Sequence, residues 1–61
     1  MVLTPDEYGL RGFLEQYGPS TLETLCRTNY TDKEDMLRYM KGLIEKGYAV
    51  FDEKEKLYKL K

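Results

Sequence analysis

A hydroxyl residue followed three positions later by glutamate occurs at Thr4-x-x-Glu7, Ser20-x-x-Glu23 and Thr31-x-x-Glu34. The spacing is that of a capping box. The hydroxyl accepts from a free amide of the first helical turn, and the glutamate reaches back to the cap amide. Each box precedes an apolar pattern of helical period, so the chain is expected to start three helices.

The first start is the most fully specified. Pro5 takes the first helical position, where a missing N–H costs nothing, and Leu3 and Tyr8 flank the cap at the spacing of a hydrophobic staple. Leu10, Phe13, Leu14 and Tyr17 follow the i, i+3, i+4, i+7 pattern of one buried stripe, and Gly18-Pro19 ends it. The second helix is short, with Leu22, Leu25 and Cys26 on its apolar edge and Thr28 to Tyr30 as a turn. The third is expected from about Asp32 to Lys46, with Met36, Leu37, Met40, Leu43 and Ile44 on one face and Gly47 as its stop.

Beyond Gly47 the pattern changes. "YAVF" is aromatic and β-branched, "DEKEK" is a polar turn and "LYKLK" alternates, so two strands and a hairpin are expected. Two strands alone are marginal in water and must lie against the helices. Val50, Tyr58 and Leu60 are the candidates for that side, with Tyr17 and Tyr58 as the tyrosines that complete the core.

Sixty-one residues make one small domain, residues 1–61, burying about 60% of its unfolded surface. Hydrophobic residues at 41% and charged residues at 34% describe an ordinary globule. No apolar run reaches the roughly 18 residues of a membrane span, and the start of the chain lacks the pattern of a signal peptide. A single cysteine permits no internal disulfide, and without histidine a metal site is not expected. A cytoplasmic location is the default. Net charge is −1, so nucleic-acid binding would need a local positive patch rather than a basic surface.

The order helix, helix, turn, helix, strand, strand resembles the winged helix-turn-helix family. Met36 to Leu60, "MLRYMKGLIEKGYAVFDEKEKLYKL", carries most of the likeness: "LIEKGY" is similar to the end of the family's recognition helix entering the first wing strand. The resemblance implies an α+β fold, a three-helix bundle with a C-terminal two-stranded β-hairpin wing. It also implies a DNA-binding transcription regulator or DNA-associated accessory factor, with the third helix in the major groove and the wing along the backbone. Some members of the family bind only proteins, so a winged helix repurposed as a protein–protein interaction module is the alternative.

For double-stranded DNA, Arg38 is the candidate base contact, since its planar fork suits guanine. Lys33 and Lys41 are candidates for phosphate contacts from the third helix, Lys54 and Lys56 from the wing, and Thr28 and Asn29 from the turn. Against these stand Asp32, Glu34 and Asp35 in the first turn, which oppose a phosphate field. The same acids stabilise the helix start through its dipole, and the wing lysines also serve as an edge that discourages strand pairing.

A second set of residues points to a protein partner or a homodimer. Gly9 and Gly12 lie on the outer face of the first helix beside Tyr8 and Gln16, and Gly42 lies beside Tyr39 on the third. Glycine in an exposed helix costs about 1 kcal/mol relative to alanine. Close approach of another backbone and plain tolerance are both open readings. Cys26 reads as an inert, buried thiol. The chain has no glycine-rich phosphate loop, nucleophile elbow or ligand cluster, so neither an enzyme, a cofactor nor a small-molecule substrate is expected.

Overall fold

The computed structural model describes residues 2–61 and has three helices, α1 (Pro5–Tyr17), α2 (Leu22–Asn29) and α3 (Lys33–Glu45). Strands β1 (Ala49–Asp52) and β2 (Leu57–Leu60) follow as an antiparallel hairpin, with Ala49 opposite Leu60 and Phe51 opposite Tyr58. This is the expected α+β arrangement in a winged-helix layout. No helix among the described residues is long and apolar enough to cross a membrane.

Only the first capping box forms. Thr4 Oγ1 accepts from the Glu7 amide at 3.2 Å, and Glu7 Oε1 accepts from the Thr4 amide at 3.0 Å. At the second helix the cap is Thr21, not Ser20: Thr21 Oγ1 accepts from the Thr24 amide at 3.1 Å. The backbone of Ser20 is engaged elsewhere, donating to Tyr58 O at 2.9 Å and accepting from Tyr58 N at 2.8 Å. That bridge ties the α1–α2 connection to the open edge of the hairpin. At the third helix Asp32 occupies the cap position without a side-chain bond, and the Thr31 hydroxyl donates instead to Asn29 O at 2.9 Å. Tyr30, in the left-handed conformation at φ 51°, makes the turn that brings these two together.

Helix α3 ends in a Schellman arrangement, with Tyr48 N–H donating to Leu43 O at 2.9 Å and Gly47 N–H to Ile44 O at 3.0 Å. Gly47 has φ 84°, a conformation that costs glycine little. The hairpin turn is held by Asp52, whose Oδ1 accepts from the amides of Lys54 and Glu55 at 3.0 and 3.2 Å.

The core joins Leu10 and Leu14 of α1, Leu25 of α2, Met36, Met40 and Leu43 of α3, Ala49 of β1 and Tyr58 of β2. Burying each of the larger side chains contributes about 1.5–3 kcal/mol. Around them Leu3, Phe13, Leu22, Cys26, Tyr39, Tyr48 and Leu60 are half-buried. Tyr17 does not complete the core; it is 65% exposed, its ring tilted 40° against that of Phe13 with centroids 4.7 Å apart. Tyr58 and Leu60 face the helices as expected, but Ala49 takes the place assigned to Val50. Residues paired across antiparallel strands share a face, so Ala49 goes with Leu60 and Val50 falls on the other side. Leu37 and Ile44 also leave the expected stripe, at 41% and 36% exposed.

Candidate interaction surface

Helix α3 presents three different sides. Met36, Met40 and Leu43 point into the core. Tyr39 and Gly42 turn toward α1. Leu37, Lys41 and Ile44, at i, i+4 and i+7, form an outer flank that runs beside β1.

The side toward α1 is filled within the chain. Glu7 is buried, and its carboxylate lies against Gly42, where an added Cβ would stand 3.0 Å from Glu7 Cδ. Glu7 Oε1 accepts from Lys46 Nζ as well as from the Thr4 amide, and Lys46 Nζ also donates to Val2 O at 3.2 Å. The Lys46 hydrogen bond, followed by that from the Thr4 backbone, holds the Glu7 carboxyl below the usual glutamate range. Gly42 is therefore not an exposed partner-binding glycine but the gap that admits this carboxylate. Tyr39, its expected companion, is half-buried against the core. A lysine four residues after a helical glycine marks one face in the sequence, but the acid completing the cluster is 39 positions away.

On α1, Gly9 and Gly12 have nothing within 4 Å of where a Cβ would stand. Tyr8 and Gln16 are exposed nearby. Gly9 borders a small groove with Pro5, Asp6 and Tyr39, and the Arg11–Glu15 pair lies next to Gly12.

Of the residues expected to meet DNA, Arg38, Thr28 and Asn29 have partners within the chain. Arg38 Nη2 lies 2.7 Å from Asp35 Oδ1, with its guanidinium 5.6 Å from the centre of the Tyr39 ring. Arg11 and Arg27 are likewise paired on their own helices, to Glu15 and Glu23. Thr28 Oγ1 donates to Thr24 O at 2.7 Å and Asn29 Nδ2 to Leu25 O at 2.9 Å, so both are turned back onto α2. Lys33, Lys41, Lys54 and Lys56 make no ion pair among the described residues. Lys33 borders a groove with Leu22, Cys26 and Arg27, and Lys54 and Lys56 stand at the hairpin tip.

Lys41 lies between apolar neighbours. It shares a shallow groove with Leu37, Ile44, Glu45, Phe51 and Tyr58, formed where α3 meets β1. Phe51 is 38% exposed and packs on Tyr58 with ring centroids 4.7 Å apart. Apart from Lys41 and Glu45, the residues that line the groove are apolar or aromatic. Sequence periodicity had assigned Leu37 and Ile44 to the core, since a core stripe and an adjoining exposed stripe are continuous on a helical wheel.

No family model, curated protein or solved structure matches the chain.

Proposed function

We propose that this chain is a non-catalytic winged-helix module that docks protein through the α3–β1 face. The observation that carries the reading is the exposure, side by side, of Leu37, Ile44 and Phe51 at the junction of third helix and wing. Large apolar side chains grouped at one place, rimmed by charge, are the composition of a protein interface core. The charge distribution supports the same reading. A chain of net charge −1 whose arginines all pair with neighbouring acids offers little to a polyanion.

A DNA-binding regulator is the second reading, supported by Lys33, Lys41, Lys54 and Lys56, which make no ion pair among the described residues. Exposed ion pairs are worth about 0–1 kcal/mol, so Arg38 can exchange Asp35 for a base edge at small cost. A titration of labelled duplex DNA with the chain separates the two. The docking reading expects no saturable binding at physiological salt. Saturable binding that weakens steeply with salt and disappears in Arg38→Ala overturns it in favour of DNA.

A further inference from the structure

We infer that the partner seated on the α3–β1 face is a second copy of this chain, with the two α3 helices antiparallel about a two-fold axis near Lys41. The inference rests on the docking reading and gives it an occupant. Its ground is a self-complementary pattern on the exposed side of α3. Leu37 and Ile44 are seven residues apart, two turns along one flank, and Arg38 and Glu45 repeat that spacing on the adjoining rim. An isologous contact requires that residue i meet residue j while j meets i. The pairs have midpoints one residue apart, so an axis level with Lys41 brings Leu37 of one copy beside Ile44 of the other and Arg38 beside Glu45. Each is about 1.5 Å out of direct opposition, an offset these side chains span.

The handedness of the arrangement is consistent as well. In an antiparallel helix pair the same flank of each helix meets across the seam, so Arg38 and Glu45, which share a flank, face each other's counterparts. A parallel pair would not bring them together. Arg38 is held only by an exposed contact to Asp35, with side chains 71% and 43% exposed, and is free to exchange it. Glu45 makes no ion pair among the described residues. The two Lys41 ammoniums beside the axis reach outward to water while their stems cover apolar surface. Phe51, on the hairpin side of the groove, extends the apolar contact beyond the helix.

Area sets the strength. A stable interface takes about 800 Å² from each partner, close to a fifth of the 4443 Å² this molecule exposes. Leu37, Ile44 and Phe51 supply only the centre of such a patch, so the dimer is a weak one that forms and separates with concentration.

Sedimentation equilibrium on the full chain, from micromolar to millimolar concentration, tests the inference. The wild type should pass from monomer to dimer across that range. Arg38→Glu and Glu45→Arg should each weaken self-association about tenfold or more, because each sets like charges together at both ends of the seam. An equimolar mixture of the two variants should recover association as a heterodimer, one chain then carrying acids and the other arginines at both rim positions. Leu37→Lys should remain monomeric with unchanged helical circular dichroism. A wild type that stays monomeric throughout overturns the inference, as does a mixture no more associated than its parts. Failure of the docking reading looks different, since that requires duplex DNA to bind at α3.

Discussion

A methyl group at Gly42 would lie 3.0 Å from Glu7 Cδ and overlap its carboxylate oxygen, whereas at Gly9 and Gly12 it would meet nothing within 4 Å. The same substitution should therefore act in opposite directions. Gly9→Ala and Gly12→Ala each remove backbone freedom from the unfolded chain and should stabilise by about 0.5–1 kcal/mol. Gly42→Ala should lower the melting temperature despite the better helix propensity of alanine, because the Glu7 carboxylate must shift from the place where Lys46 and the Thr4 amide hold it. Thermal denaturation of the three variants checks the contrast. Glu7 also sets an acid limit on stability. Its folded pKa lies below the ordinary 4.5, so its contribution is fully present above that value and is lost as pH falls through the folded one. Glu7→Gln should melt lower than wild type at neutral pH and lose less on acidification. A variant with the same acid response as wild type would contradict the role given to Glu7. Little of this was legible in the sequence. Glu7 reads there as a cap residue, which it is, but its second partner comes from the far end of the third helix.

The helices themselves were legible to within a residue or two, because caps, apolar period and glycine stops agree. Which hydroxyl does the capping was not. Ser20 and Thr21 are adjacent and equally suited, and the choice is made by the long-range pairing of Ser20 with Tyr58. Thr31 is likewise drawn away, here by the left-handed turn at Tyr30. Thr21→Ala should accordingly cost about 0.5–2 kcal/mol, a fall of several degrees in melting temperature for a domain of this size. Thr31→Ala should cost clearly less, and equal losses would contradict the assignment of caps. In the hairpin the error was one of parity. Alternation marks two faces but not which is inward, and the register through the Asp52 turn puts Ala49 rather than Val50 against the helices.

For the molecule as a whole, the decisive region is where the third helix meets the wing. The sequence places Arg38 and Lys41 on the outward side of α3, and that much holds. It also draws Leu37 and Ile44 into the core, because an apolar stripe wider than the buried face has no edge visible in the pattern. In the folded chain the surplus becomes an exposed flank, joined by Phe51 from β1 into one apolar groove with Lys41 and Glu45 at its border. Asp35 in the first turn of α3 pairs with the helix's arginine, Arg38. The winged-helix layout is present, and the apolar groove where α3 meets β1 is the feature on which the proposed protein docking rests. The duplex titration, followed residue by residue through backbone amide shifts, tests this most directly. The account expects duplex DNA at physiological salt to leave the amides of Leu37, Arg38, Lys41 and Ile44 unmoved. Saturable shifts centred on those residues and on Lys54 and Lys56, vanishing as salt is raised, would contradict it.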